Sequence, residues 1–204
     1  MACVRSTMPT SSFITTRQRL ALTKGILSPG DALALNDAEI DALFLLTNRV
    51  PVNQLRCSKL TPIDLKNRGL ESAIQLRELG FDSLDLTNSA FCSASISAFG
   101  VESVVQAFLL NGSDAVAVAG STAVLQLGIT TSKLLELCAG SPENATAVLQ
   151  QLVPRGGALN GVSANVLLDT GLRAKTLCEL GYFLTNLRSQ ISASNTEIQL
   201  LGFV

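Results

Sequence analysis

The sequence predicts an all-α fold, a solenoid of short helices stacked at about ten-residue spacing. Three observations predict it. An apolar residue recurs at regular intervals, a small residue (usually Gly) follows it four positions later, and a residue able to cap a helix comes soon afterwards. Gly after a short apolar run is typical of a helix end, because it adopts positive φ without a Cβ penalty. Helices of about two turns are unstable alone and must stack on their neighbours.

The pattern is clearest between Leu65 and Val101. In the second unit, Gly80 is predicted to end a helix, so that Leu76 and Phe81 make the apolar contact of a Schellman ending. Each unit joins an aliphatic residue, a small residue and a second apolar residue. The four consecutive units are Leu65-Gly69-Leu70, Leu76-Gly80-Phe81, Leu86-Ala90-Phe91 and Ile96-Gly100-Val101.

Helix starts and two variant units complete the pattern. Thr61-Pro62-Ile63-Asp64 predicts a helix start, with an N-cap hydroxyl, a proline at the first helical position and a carboxylate at the third. Ser141-Pro142-Glu143 predicts another, for a helix that ends near Leu152. The units Leu45-Arg49-Val50 and Leu55-Lys59-Leu60 keep the spacing but carry a basic residue where later units have Gly.

The domain prediction is an arm over residues 1–30 followed by a repeat array over residues 31–204, with an interruption near residues 139–160. The arm is basic and rich in Ser and Thr, with no acidic residue before Asp31. It is interpreted as a segment that caps the array or binds a neighbouring subunit, and a transit peptide is the alternative. Pro154-Arg155-Gly156-Gly157 indicates a loop within the interruption.

Composition narrows the function classes. The chain has 204 residues, 47% hydrophobic and 15% charged, so it has material for a long core. Its net charge of −1 gives no broad field for nucleic acid. Histidine, the commonest general base and metal ligand, is absent. The five cysteines are odd in number and widely spaced, which argues against a zinc site or a disulfide framework.

The sequence indicates no catalytic, cofactor-binding or metal-binding residue. Gly156 and Gly161 have the spacing of a phosphate loop, but Val162-Ser163 stands where Lys and Ser/Thr are needed. The uncharged stretch from Ala115 to Ser132 contains glycines at repeat spacing, which indicates turns rather than a membrane-spanning helix.

One surface pattern is a candidate interaction site. Arg56, Lys66 and Arg77 occupy the same repeat position, and a helical array would align them as a short basic column. Asp64 and Asp85 precede the repeat leucine and would form a neighbouring acidic column. Two interpretations are open: a solvated face with salt-bridge partners, and a docking strip for a partner of mixed charge.

The unit L-[KR]-x-x-G-[FLVY]-x-[ST] resembles tandem decapeptide arrays of the form L-K-x-A-G-F-x-x-x-E. The resemblance covers roughly Leu45 to Gly100 and Val162 to Phe203. It implies architecture and no activity, since such arrays supply a framework rather than a site.

An alternative fold uses the same apolar residues. Their five-residue recurrence, as in Leu55, Leu60 and Leu65, resembles the pentapeptide-repeat family, whose chain winds as a right-handed β-solenoid. That family places a small residue two positions before each apolar centre. Ser89 and Ala94 comply, whereas Arg68, Ile74, Leu79 and Phe99 do not.

The function prediction is a non-enzymatic protein-binding scaffold or a structural subunit of a larger assembly. Its partners are expected to be other protein subunits, with no nucleic acid, no membrane and no small-molecule substrate. One alternative is a β-solenoid that mimics nucleic acid and inhibits its enzymes, and another is a histidine-free enzyme of unknown reaction. The expected location is the cytoplasm or an intracellular assembly, or an organelle if residues 1–30 are a transit peptide.

Overall fold

The computed structural model describes residues 20, 21, 24, 40–152 and 159–204, except the side chain of Asn186. The chain consists of two compact units, residues 1–81 and residues 82–204. Most of the predicted arm over residues 1–30, and the phosphate-loop spacing that begins at Gly156, lie outside the described residues.

Over residues 40–81, unit 1 contains four helices of six or seven residues. Asp41 caps the first helix through its side chain, which accepts a hydrogen bond from the Leu43 N–H at 3.0 Å. The helices are α1 (Ala42–Thr47), α2 (Val52–Ser58), α3 (Pro62–Asn67) and α4 (Ala73–Glu78).

Unit 2 contains a 3-10 turn over Asp85–Thr87 and ten helices in its described part, and the longest of these have eleven residues. The helices are α5 (Ser89–Phe99), α6 (Val101–Phe108), α7 (Gly112–Ala119), α8 (Ala123–Leu127), α9 (Thr131–Glu136), α10 (Pro142–Leu152), α11 (Ala164–Thr170), α12 (Ala174–Glu179), α13 (Leu184–Gln190) and α14 (Asn195–Leu200).

The prediction of an all-α fold is confirmed. The pentapeptide-type β-solenoid is not supported, because the described residues contain helices and one isolated parallel bridge, between Ser163 and Ser192, but no strand. Within the same residues no single helix has the length and apolarity to cross a bilayer. Helices α5 and α6 reach that length only together, and they are bent by 117°.

Glycine ends the short helices as predicted. Gly80, Gly100 and Gly181 adopt φ angles of 93°, 83° and 90°, which L side chains rarely tolerate. After Gly80, the Phe81 N–H donates to the Leu76 carbonyl at 3.2 Å, and both of these side chains are buried. This is the hydrogen bond of a Schellman ending.

The helix end expected at Ala90 is wrong. Ala90 is the second residue of α5, whose start is capped by Asn88, and the helix continues to Phe99. The reason is that Ala favours the helix interior and has no preference for positive φ. The buried positions of α5 are accordingly Cys92, Ser95 and Ala98 rather than Phe91 and Ile96.

The apolar residues that recur before α5 are all buried, nine of them in unit 1 and Leu86 in unit 2. The spacing is five residues, with one extra residue before Leu76. All of them are at most 5% exposed: Ile40, Leu45, Val50, Leu55, Leu60, Leu65, Leu70, Leu76, Phe81 and Leu86.

Backbone hydrogen bonds connect residues 26 to 29 positions apart. In unit 1 the Ala42 N–H donates to the Arg68 carbonyl at 2.8 Å. Three equivalent bonds occur in unit 2: Gly140 N–H to Asp169 O at 2.8 Å, Gly161 N–H to Gln190 O at 3.2 Å and Ala174 N–H to Leu201 O at 2.7 Å. The same approximate separation therefore recurs along the chain.

Side chains in unit 2 make contacts at a slightly longer separation. The Ser83 hydroxyl donates to Asp114 Oδ1 at 2.9 Å, 31 residues away, and both residues are buried. The Gly120 N–H donates to Gln151 Oε1 at 2.9 Å, also 31 residues away. A Cβ on Gly112 would lie 2.9 Å from Asn144 Nδ2, so glycine permits the close approach of α7 and α10.

Hydroxyl side chains satisfy backbone groups at several helix ends. The buried Thr170 hydroxyl donates to the Leu167 carbonyl at 2.7 Å and accepts from the Leu172 N–H at 3.4 Å. Buried Ser58 makes the corresponding pair of bonds, to the Leu55 carbonyl and from the Leu60 N–H. Each hydroxyl thus supplies both a donor and an acceptor where the helical ladder stops.

We expect Thr170→Val to lower the free energy of unfolding by about 1–3 kcal/mol, because the isosteric side chain leaves two buried backbone groups without their hydroxyl partner. Thr170→Ser is the matched control and should cost less than the valine variant, since it keeps the hydroxyl. Urea unfolding followed by circular dichroism measures both. Equal stability of the valine variant and the wild type would contradict the role given to the hydroxyl.

Candidate protein-interaction surface

The three cations of the predicted strip lie on three successive helices of unit 1. Arg56, Lys66 and Arg77 lie in α2, α3 and α4, each directly after a fully buried leucine. Arg56 and Lys66 are exposed, and Arg77 is half-buried. The Arg56 guanidinium lies 5.9 Å from the centroid of the Phe81 ring, within the range of a cation–π contact.

All three cations take part in interactions within the chain. The interpretation as a solvated face with salt-bridge partners also stays a prediction. The alignment of the three in one column, and its use as a docking strip, stay predictions.

The two carboxylates of the predicted acidic column close local turns. Asp64 Oδ2 accepts hydrogen bonds from the Thr61 hydroxyl at 2.6 Å and the Thr61 N–H at 2.9 Å, and Thr61 Oγ1 accepts from the Asp64 N–H. This is the capping box expected from the sequence. Asp85 Oδ2 likewise accepts from the Asp82 N–H at 2.8 Å. Both carboxylates therefore have a structural use at their own turns.

Arg49 and Lys59 differ from the other residues at the glycine position. They are the only non-glycine residues with positive φ in the described ranges, at 47° and 58°. An L residue in this conformation costs roughly 1–2 kcal/mol. Both side chains are exposed, and within the described part of the chain neither makes a hydrogen bond or an ion pair. The conformation belongs to the ends of α1 and α2: the Arg49 N–H donates to the Leu46 carbonyl at 3.1 Å, and the Lys59 N–H donates to the Arg56 carbonyl at 3.3 Å.

Arg49 also borders an open depression of about 560 Å³ in unit 1. Gly80 allows the two walls to approach, since a Cβ there would lie 3.1 Å from Val52 Cβ. Arg49 and Glu78 place opposite charges on its lining. The full lining is Leu46, Arg49, Val50, Pro51, Val52, Glu78, Leu79 and Gly80.

The depression suits part of a protein surface better than an enclosed ligand, because small-molecule sites bury most of their ligand and this one is open. Sequence reasoning did not identify it. The feature of the sequence that could have indicated the depression is the basic residue in place of Gly at position 49, next to Val50-Pro51.

The cysteines provide no reactive cluster in the described residues. Cys92 and Cys138 are buried, and burial raises the pKa of both thiols above the ordinary value. Their thiols are free, as are those of Cys57 and Cys178. The described residues contain no group of three or more Cys, Asp or Glu side chains that could hold a metal ion.

Comparisons of this chain with protein-family models, with curated proteins and with solved structures found no match.

The capping box at Asp64 predicts a specific pH dependence. Hydrogen bonds from Thr61 hold the pKa of Asp64 below its ordinary value of 3.8. The carboxylate therefore contributes stability above that value and loses it as the pH falls through the lower folded-state pKa. Asp64→Ala should lower the free energy of unfolding by about 1 kcal/mol at pH 7, and the difference should shrink below about pH 4.

Urea midpoints of both proteins between pH 7 and pH 2 measure this difference. Glu71→Ala, which removes an exposed carboxylate outside the capping box, is the control. A difference between wild type and Asp64→Ala that is as large at pH 2 as at pH 7 would show that the Asp64 charge is not responsible.

Proposed function

We propose that this chain is a non-enzymatic protein-binding scaffold or a structural subunit of a larger assembly, built as a solenoid of short helices. The observation that supports it is the recurrence, in each unit, of contacts between residues 26 to 31 positions apart. Such regular separation is expected if the chain returns to a neighbouring position after each coil.

The separation agrees with the repeat unit. Three ten-residue units make a coil of about thirty residues, and α1, α2 and α3 lie between Ala42 and Arg68, whose backbone groups bond. Each of the proposed coils would then have about three sides, each side a short helix with a glycine or an αL residue at its corner. The resemblance to decapeptide arrays is part of this proposal.

In the proposed architecture, the residues that form the core differ from the residues that would contact a partner. In α2, α3 and α4 the repeat leucine is fully buried, and the next residue is the cation Arg56, Lys66 or Arg77. Residues directed outward on repeated short helices supply an extended surface whose side chains can vary without loss of the core. This division favours a role in binding other protein subunits.

Neither of the two alternative functions is supported as well as the scaffold. The nucleic-acid-mimicking inhibitor required a β-solenoid, which the described residues do not support. A histidine-free enzyme requires a site for its substrate, and the open depression of unit 1 is a poor candidate for one.

Affinity capture with chemical cross-linking, from the cells that express the protein, tests the proposal. The bait is the full chain, compared with Arg56→Ala/Lys66→Ala/Arg77→Ala and with the matched control Lys133→Ala/Lys175→Ala/Arg188→Ala. We expect wild type and control to enrich the same proteins, and the first triple variant to retain roughly tenfold less, about 1.4 kcal/mol for three rim charges.

Circular dichroism must show that both triple variants keep the helical spectrum. If no protein is enriched above an unrelated bait, the scaffold proposal fails. If both triple variants retain their partners equally, the scaffold proposal stands and the docking strip is wrong.

A further inference from the structure

Two segments of unit 1 that contain α1 and α4 are joined at both of their ends. At the start, the Ala42 N–H donates to the Arg68 carbonyl at 2.8 Å. At the end, a Cβ on Gly80 would lie 3.1 Å from Val52 Cβ. Because contacts occur both before and after the two helices, the segments that contain them run alongside each other.

Exposed apolar side chains on these two helices extend the depression beside Arg49. Leu46 of α1 and Glu78 of α4 line the depression. Leu43 is three positions before Leu46, and Ile74 is four positions before Glu78, so each lies one turn earlier on the same face of its helix. Leu43 is 65% exposed and Ile74 is 53% exposed. The depression and these two side chains together are named the α1–α4 groove.

Two opposite charges border the otherwise apolar lining of the depression. Arg49 and Glu78 are the charged residues among the eight that line it, and the other six are aliphatic residues, a proline and a glycine. Both charged side chains are exposed, and in the part of the chain that the structure describes neither makes a hydrogen bond or an ion pair. A complementary partner therefore has a carboxylate where it meets Arg49 and a Lys or Arg where it meets Glu78.

The lining of the depression also restricts the form of the partner segment. Over residues 40–81, unit 1 contains no strand, so these residues offer no sheet edge for an added strand. The lining has no aromatic side chain, which grooves that bind proline-rich segments use. An amphipathic helix needs neither feature, since it places apolar side chains at positions i, i+3 or i+4 and i+7 into a groove.

We propose that the α1–α4 groove binds an amphipathic helix of a partner protein. Apolar side chains of that helix enter the depression and contact Leu43 and Ile74, a carboxylate on it pairs with Arg49, and a Lys or Arg on it pairs with Glu78. The proposal rests on the proposed function, which it deepens by naming a binding surface and the class of segment that it takes.

Selection from a phage-displayed peptide library tests the proposal, with the full chain as the bait. The library displays peptides of about 20 residues, long enough to be helical, in an alanine-rich framework with randomised positions. We expect enrichment of sequences with apolar residues at helical spacing, flanked by Asp or Glu on one side and by Lys or Arg on the other. No enrichment above the empty support, or enrichment without this charge pattern, overturns the proposal.

Reversal of both charges locates the site. Fluorescence anisotropy measures the affinity of the most enriched peptide for wild type, for Arg49→Glu/Glu78→Arg and for the matched control Lys59→Glu/Glu71→Arg. The control also conserves the net charge and also replaces a cation at positive φ, but neither of its residues lines the depression. We expect the first variant to bind about tenfold or more weakly, because it places like charges together, and the control to bind as wild type does.

A second peptide, in which the acidic and basic residues are exchanged, should show the opposite preference and bind Arg49→Glu/Glu78→Arg more tightly than wild type. Circular dichroism must show that both charge variants keep the helical spectrum. Equal binding of the enriched peptide to wild type and to Arg49→Glu/Glu78→Arg overturns the assignment of the site.

Leu43→Ser/Ile74→Ser tests the apolar part of the groove outside the depression. Because both side chains are exposed, the melting temperature should stay close to that of wild type, while peptide binding weakens about fivefold or more through the loss of apolar contact area. Leu125→Ser/Leu200→Ser, which removes two exposed leucines of unit 2, is the matched control. Unchanged binding by Leu43→Ser/Ile74→Ser overturns the extension of the groove along α1 and α4.

The two proposals fail separately. If the library yields no peptide that depends on Arg49 and Glu78, but the full chain captures other proteins from cells, only the groove is wrong. If such a peptide binds but the full chain enriches no cellular protein, the groove stands as a binding site and the scaffold proposal is wrong.

Discussion

The structure depends on contacts between residues that are 26 to 31 positions apart, because its helices are too short to support themselves. A six-residue helix such as α1 or α9 has four N–H groups and four C=O groups without a helical partner, so nearly all of its backbone belongs to one end or the other. Nucleation of such a helix in isolation is unfavourable. The missing partners come from side-chain caps and from segments about thirty residues away.

The caps have a common chemistry. Thr61, Thr130, Ser163 and Ser194 accept a hydrogen bond at a helix N-terminus through a hydroxyl oxygen. Ser58 and Thr170 use the hydroxyl at a helix end. The buried Ser83–Asp114 hydrogen bond adds a long-range connection in unit 2. Polar residues in this apolar chain therefore serve the backbone as much as the solvent.

Local chemistry could be predicted from the sequence. The glycine stops at Gly80, Gly100 and Gly181 and the capping box of Thr61 and Asp64 each depend on residues within one turn. The expected end at Ala90 was wrong because a small side chain alone does not specify positive φ. Asn88, two positions earlier, starts a helix there instead.

Long-range pairing could not be predicted. The residues of a ten-residue unit do not determine that Ala42 bonds to Arg68 or that Ser83 bonds to Asp114. The local periodicity is the same whichever segment of the chain lies alongside. The depression beside Arg49 was missed for this reason: it depends on the approach of Gly80 to Val52, which are 28 residues apart. The candidate strip of Arg56, Lys66 and Arg77 was predicted from the repeat spacing alone, without any long-range pairing, and its role stays a proposal.

The division between inward leucines and outward charges has a consequence for function. In unit 1 the apolar series is buried together with Ala42, Ala73 and Leu79, and under the proposed function the exposed positions are the ones that would contact partners. At the ends of α1 and α2 the conformation favours glycine, but Arg49 and Lys59 are present there.

Amide hydrogen exchange by NMR on the whole chain tests the central claim most directly. The N–H groups of Ala42, Gly140 and Ala174 lie outside the helical ladder and bond to residues 26 to 29 positions away. Leu184, the first residue of α13, has no such N–H partner in the described part of the chain and is the internal reference. We expect the three amides to exchange at least about 100-fold more slowly than that of Leu184. Exchange of all three at the rate of Leu184 would contradict the account.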